Sequence, residues 1–171
     1  VNTAAAIAAI AVIGPTVVDW IGNWPGARWL QQSGTAYLLV NAAHILGLGL
    51  LLGAILPLDL RLVLGRTQPA LSELVPLAIR TAAAGLVLAL LTGAWLFSVN
   101  PGDYLDNTAF RWKLLLLSLA LGNVAVQHRH WRSVELPEMP RALPVRVRVL
   151  AGTSALLWIA TLVAGRWIGF V

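Results

Sequence analysis

The stretch AYLLVNAAHILGLGLLLGAILPL, Ala36 to Leu58, carries no charged residue and holds a single histidine, His44. A helix rises about 1.5 Å per residue, so roughly twenty such residues cross the ~30 Å hydrocarbon core of a bilayer. Outward from this segment the pattern repeats. Apolar blocks cover about 77–97, 109–126 and 147–168. The second block is stopped by the turn signal Asn100-Pro101-Gly102-Asp103, and Pro137, Pro140 and Pro144 precede the last. Pro57, Asp59, Arg61, Gly65 and Arg66 are expected to end the first. Connections this short make successive helices antiparallel. The expected fold is all-α, an integral membrane four-helix antiparallel bundle over residues 36–171.

Composition agrees with a lipid solvent. Of 171 residues 58% are hydrophobic and 11% charged, against about a quarter charged in soluble domains. Cysteine is absent, which removes disulfides, thiolate metal sites and covalent c-type haem attachment. The net charge of +5 raises the question of nucleic acid. The basic residues, however, cluster at helix ends and in two loops, so they point to topology and lipid contacts rather than nucleic-acid binding.

Residues 1–35 form an apolar, interfacial amino-terminal segment. Within it, 3–22 are rich in Ala, Val and Ile but interrupted by Gly14-Pro15, and a proline kinks or breaks a helix. No basic leader precedes the apolar run, so it is a poor signal sequence. Val1 in place of Met fits processing or a literally translated alternative start codon. An interfacial helix is expected here, with a fifth span as the alternative. The following Trp24-Pro25-Gly26-Ala27-Arg28-Trp29 has the mixture of a membrane–water boundary.

Arg61, Arg66, Arg80, Arg129, Arg132, Arg141, Arg146 and Arg148 flank or occupy the first and third connections and comprise eight of the twelve Lys and Arg residues. By the positive-inside rule those connections are cytoplasmic and the carboxyl terminus periplasmic, in a bacterial inner membrane.

Polar groups inside hydrocarbon are costly and each is a functional candidate. His44 lies about eight residues into its span, roughly 12 Å deep. Tyr37, Asn41, His44, Ile55 and Asp59 share one helical face, and Gly49 and Gly53 fall on the other, where the Gly-x-x-x-Gly spacing lets a helix of this bundle or of another chain approach. Three readings of His44 stand open. It is an axial ligand to haem, another tetrapyrrole or a metal; it is a hydrogen-bond donor to a quinone; or it is a packed histidine satisfied by Asn41, Tyr37 or a carbonyl of the next helix. Lys113, near the start of the third span, snorkels to the interface or turns toward His44 to hold a carboxylate or propionate. Asn123 and Gln127 fall near its helical direction.

The remaining histidines, His128 and His130, lie at the other end of the third span, roughly 20 Å from His44 in depth. A bis-histidine haem within this chain is therefore not expected, and Met139 lies in the wrong loop to replace the missing ligand. His128, Arg129, His130 and Arg132 form a basic surface for lipid headgroups or an acidic partner. No phosphate loop, Gly-x-Ser-x-Gly, His-Glu-x-x-His or paired intramembrane carboxylate occurs, so no self-contained catalytic site is expected.

Tyr37-Leu-Leu-Val-Asn-Ala-Ala-His44-Ile-Leu-Gly, Asp59-Leu-Arg61-Leu, Thr92-Gly93 and Phe110-Arg-Trp-Lys113, with Asn123 and His128, resemble an uncharacterised family of small bacterial four-helix inner-membrane proteins. That family is itself distantly similar to the membrane domain of CopD-type copper-resistance proteins. The resemblance spans roughly residues 17–170. It implies an inner-membrane bundle and either copper handling or membrane electron transport. The sequence-level expectation is thus a small membrane subunit of a larger electron-transfer or cofactor-bearing complex. It would anchor that complex and present His44, with Asn41, Tyr37 and Lys113 nearby, to a cofactor or quinone. The alternatives are a copper-handling transport protein, against which the single methionine and absent cysteine argue, and a purely structural accessory subunit.

Overall fold

The computed structural model describes residues 17–65, 71–133 and 143–170. Every regular element among them is helical. Helix α1 covers residues 17–23, followed by α2 (Pro25–Gln32), α3 (Gly34–Val63), α4 (Leu71–Phe97), α5 (Pro101–Asp106), α6 (Thr108–Ser133) and α7 (Val145–Trp167). Four of these, α3, α4, α6 and α7, are long and apolar enough to cross a bilayer. The protein is a multi-pass membrane helical bundle. Of residues 3–22, where an interfacial helix was expected with a fifth span as the alternative, 17–22 lie in α1 and the rest lie outside the described residues.

The first span is longer than its composition suggests. Pro57, Asp59 and Arg61 lie inside α3 rather than ending it. A proline removes one backbone donor, which a transmembrane helix with packed neighbours tolerates. The helix starts at Ser33, whose hydroxyl accepts from the Ala36 amide at 3.2 Å. It ends where Gly65 takes a left-handed φ of 67°. Arg148 on α7 donates through Nε to the Val63 carbonyl at 2.9 Å, satisfying one of the orphan acceptors of that end.

Helix α3 packs on α4 and α7, and α7 packs on α6. Lipid tails are as apolar as leucine, so helices in a membrane associate through close packing rather than hydrophobic exclusion. The closest approach is between α3 and α4. A methyl group on Gly47 would sit 2.7 Å from the Ala89 nitrogen, and one on Gly85 would sit 2.5 Å from the Leu51 nitrogen and 2.6 Å from the Gly47 oxygen. Backbone therefore touches backbone there. At Gly49 and Gly53 the packing within the bundle does not form: among the described residues no atom outside the helix's own backbone lies within 4 Å of either Cβ position.

One level further along, a layer joins all four spans. Leu51 of α3, Ala82 of α4, Ala120 of α6 and Trp158 of α7 form a buried cluster in which the indole supplies the bulk and the alanines the room. Large apolar side chains such as Leu38, Leu39, Ile45, Leu91, Leu119 and Leu156 are exposed, as lipid-facing residues should be. At the His44 end, α2 docks on α3 and α4. Leu30 is buried with Ala36, Val40 and Leu96. The Trp95 indole donates to the Gly26 carbonyl at 3.0 Å between the rings of Trp24 and Trp29.

Candidate functional site

His44 is half-buried and turned toward α4. Its Nδ1 lies 2.9 Å from the Ala89 carbonyl oxygen and 3.1 Å from the Thr92 hydroxyl oxygen. The Thr92 hydroxyl donates to the Leu88 carbonyl at 2.6 Å, so its proton is committed and its oxygen can only accept from the imidazole. Both neighbours of Nδ1 are thus acceptors, which assigns the ring proton to Nδ1. Nε2 of the neutral ring then carries a bare lone pair, and it meets no hydrogen-bond donor among the described residues. The carbonyl that fixes the tautomer on one ring nitrogen readies the other as ligand or acceptor.

Gly93 makes this orientation possible. A methyl there would lie 3.0 Å from the His44 Cε1 and 3.4 Å from Nδ1, so the imidazole rests where any other residue would place its Cβ. Thr92-Gly93 is therefore the floor of the histidine: one residue accepts from Nδ1, the next makes space.

The other residues expected beside His44 are only partly gathered to it. Lys113 lies within the range over which its charge and that of His44 interact. Its stem crosses Gly165 of α7, where a methyl would lie 3.5 Å from Cδ and Cε and 3.7 Å from Nζ. It is half-buried, turned toward the neighbouring helix. Tyr37 pairs with Tyr104 of α5, whose phenol is pushed above the ordinary tyrosine range, first by burial and then by Tyr37. Tyr104 in turn meets the rings of Phe97 and Phe110 at a tilt. Asn41 is exposed. Asn123 and Gln127 both donate to the Leu150 carbonyl, at 3.2 and 3.1 Å, so that seam serves the α6–α7 contact rather than Lys113.

His128 and Arg129 are exposed near the far end of α6, at the level where Gln127 meets the start of α7. The side chains of His130 and Arg132, like Met139, are outside the described residues. Among the described residues no three His, Cys, Asp or Glu side chains converge to hold a metal.

A second polar site lies at the opposite end of α3. Asp59 is 1% exposed, as is Ser154 of α7, and Trp158 one turn further is 3% exposed. Both Asp59 carboxyl oxygens, the Ser154 hydroxyl and the Trp158 indole nitrogen lack a hydrogen-bond partner. Ser154 faces the carboxyl across the α3–α7 interface, near enough to interact yet short of a formed bond. Four orphaned buried polar atoms on α3 and α7 are unusual, because native interiors satisfy nearly all such groups. The sequence marked Asp59 as a span terminator and as a member of the His44 face. Ser154 and Trp158 gave no signal beyond their i, i+4 spacing.

Compared with protein-family models, curated proteins and solved structures, the chain matches none.

Proposed function

We propose that this protein is a small inner-membrane subunit of an electron-transfer or cofactor-bearing assembly, and that His44 offers Nε2 to the cofactor. The observation that carries the reading is the fixed tautomer: Nδ1–H is held by Ala89 and Thr92, at 2.9 and 3.1 Å, which leaves Nε2 as a lone-pair donor. Such a nitrogen suits an axial bond to haem or another tetrapyrrole. The same atom accepts a hydrogen bond from a quinol hydroxyl. It does not, in the neutral ring, donate to a quinone carbonyl, so the quinone reading takes its reduced form. Lys113, in charge range of the site, supplies a cation for a propionate or for a developing negative charge on a quinone ring.

Among the described residues the site offers one such ligand, so a second would come from a partner subunit or the position would stay open. Placing the basic connections in the cytoplasm sets His44 in the outer leaflet. The resemblance to the CopD-type membrane domain fits the same broad class, but a permeation route for copper gains little support. The layer of Leu51, Ala82, Ala120 and Trp158 between the two polar levels offers a hydrated ion no oxygen ligand.

The test is a visible absorption spectrum of the protein purified from its native membrane with its partners. A Soret band that disappears in His44→Ala, while assembly survives, supports the tetrapyrrole. A colourless assembly in which His44→Ala leaves both quinol oxidation and subunit content unchanged sinks the cofactor reading and leaves anchoring alone.

A further inference from the structure

A serine or threonine inside a helix commonly returns its hydroxyl proton to the carbonyl four residues back. Thr92, Ser118 and Thr161 do so here, on the carbonyls of Leu88, Leu114 and Leu157. Ser154 does not, and its hydroxyl has no hydrogen-bond partner. The carbonyl it would use, that of Leu150, already accepts from the Asn123 and Gln127 amides of α6 at 3.2 and 3.1 Å. A carbonyl oxygen has two lone pairs. The Ser154 hydroxyl is thus displaced from its usual acceptor and left facing Asp59 across the α3–α7 interface.

Among the described residues no donor completes a bond to the carboxyl it faces: both Asp59 oxygens are buried and unpartnered. Toward the near end of α3, Leu58, Leu62, Val147 and Ala151 pack as one apolar cluster. Toward the middle of the bundle stands the layer of Leu51, Ala82, Ala120 and Trp158. The charged side chains of this end are placed elsewhere. Arg148 of α7 donates to the Val63 carbonyl. Arg146 of α7, Arg80 of α4, and His128 and Arg129 of α6 are exposed. Arg61, on α3 itself, makes no hydrogen bond to either Asp59 oxygen. An ionised carboxylate has about four lone-pair sites to satisfy and gives up its hydration on burial. One hydroxyl does not replace that. A protonated carboxyl needs a single acceptor for its O–H, and the Ser154 oxygen is one.

We propose that Asp59 is a proton-binding site of the α3–α7 interface: the carboxyl is carried protonated, and its O–H is shared with the Ser154 oxygen. The ligand is a proton taken from water, and no other bond forms or breaks. Its release leaves a charge between two apolar layers, so α3 and α7 must part at this end to admit water. The bound proton therefore latches the two helices together. Asp59 lies four residues, roughly 6 Å, from the end of α3 at Val63. Water has only the cluster around Leu58 and Leu62 to pass on that side. This site is independent of the cofactor reading for His44 and lies at the other end of the helix.

Infrared difference spectra of the purified full-length chain in neutral detergent, at neutral pH, test it. Parent minus Asp59→Asn should show a carboxylic-acid carbonyl stretch above the amide band, moving to lower frequency in heavy water. Parent minus Asp59→Val should show the same band, which keeps the test readable if the asparagine variant does not fold. Ser154→Ala should keep the band at a higher frequency, because a carboxylic acid freed of its hydrogen bond absorbs higher. Thermal unfolding gives a second reading. A proton held in the fold and released on unfolding lowers stability as pH rises above the ordinary carboxyl range of about 4. The folding constant of the parent should therefore fall, relative to that of Asp59→Asn, by up to about tenfold per pH unit. Groups common to both proteins, His44 included, cancel in that ratio. A difference spectrum that shows carboxylate absorption instead, or pH slopes equal in parent and variant, overturns the proposal. A band of unchanged frequency in Ser154→Ala overturns the pairing with Ser154.

Discussion

Gly85→Ala tests whether the α3–α4 backbone contact holds His44 in place. The added methyl would lie 2.5 Å from the Leu51 nitrogen, 2.6 Å from the Gly47 oxygen and 2.9 Å from the Leu50 Cβ. Two of these are main-chain atoms, which cannot swing aside as a flexible side chain does. Reaching an ordinary contact of 3.4 Å requires the helices to separate by 3.4 − 2.5, about 0.9 Å. Ala89 lies one turn along α4, so its carbonyl moves with Gly85. The Nδ1 distance of 2.9 Å would grow to about 3.8 Å, and the 3.1 Å contact to Thr92 to about 4.0 Å, both beyond hydrogen bonding. Overpacking costs about 1–3 kcal/mol and the lost histidine bond about 1 kcal/mol. The expected loss is therefore about 2–4 kcal/mol. Thermal unfolding in detergent measures the loss, and nitrogen-15 spectra of labelled histidine report whether the proton remains fixed on Nδ1. Gly53→Ala is the control, since no atom lies within 4 Å of its Cβ, and it should be neutral or gain up to about 1 kcal/mol of helix propensity. A Gly85→Ala protein that melts with the parent and keeps its tautomer would refute the coupling.

Two further outcomes follow from the Asp59 site. Asp59→Val replaces a fully buried, unpartnered carboxyl by an apolar group of similar size, and should stabilise the fold by about 1–3 kcal/mol; destabilisation in the same unfolding assay would mean that the carboxyl has a strong partner in the membrane. Trp158→Ala empties the junction of all four spans and should cost about 3–5 kcal/mol. Trp158→Phe keeps most of that ring while removing an unpartnered indole nitrogen, so it should cost much less. Equal losses in the two variants would show that the nitrogen, not the bulk, is what the junction requires.

The four spans were legible because hydropathy alone fixes them: in lipid every backbone group must be satisfied within its own helix, which leaves few alternatives. Their ends were less so. Pro57, Asp59 and Arg61 look like terminators by residue type, yet α3 continues to Val63. Its carbonyl there is taken by Arg148, a residue 85 positions away that no local rule anticipates. The glycines show the same limit. Gly-x-x-x-Gly spacing singled out Gly49 and Gly53, but spacing within one helix does not say which face meets a neighbour. The contact formed instead at Gly47, because Gly85 lies opposite it. His44 was visible as a polar residue in an apolar run. Its tautomer was not, because that depends on Ala89, Thr92 and Gly93 from another helix. Asp59 carried a charge plain in the sequence, whereas the absence of a partner for it is a property of the α3–α7 interface.

An apolar layer stands between the two polar levels. His44 and Asp59 are fifteen residues apart on one helix, roughly 22 Å along its axis, with Leu51 and its partners from the other three spans in the interval. No single porphyrin or quinone ring reaches from one to the other. A ligand on Nε2 would therefore stay at the His44 level, and its effects should separate from those of substitutions at Asp59. Substitutions at His44 and Gly93 should alter a chromophore or quinol chemistry while leaving the stability gain of Asp59→Val intact. Asp59→Val should do the reverse. Coupling between the two would travel through the rigid body of α3 and its packing on α4 and α7, and Gly47 and Gly85 are positions of that packing, outside either site, where both properties would change together.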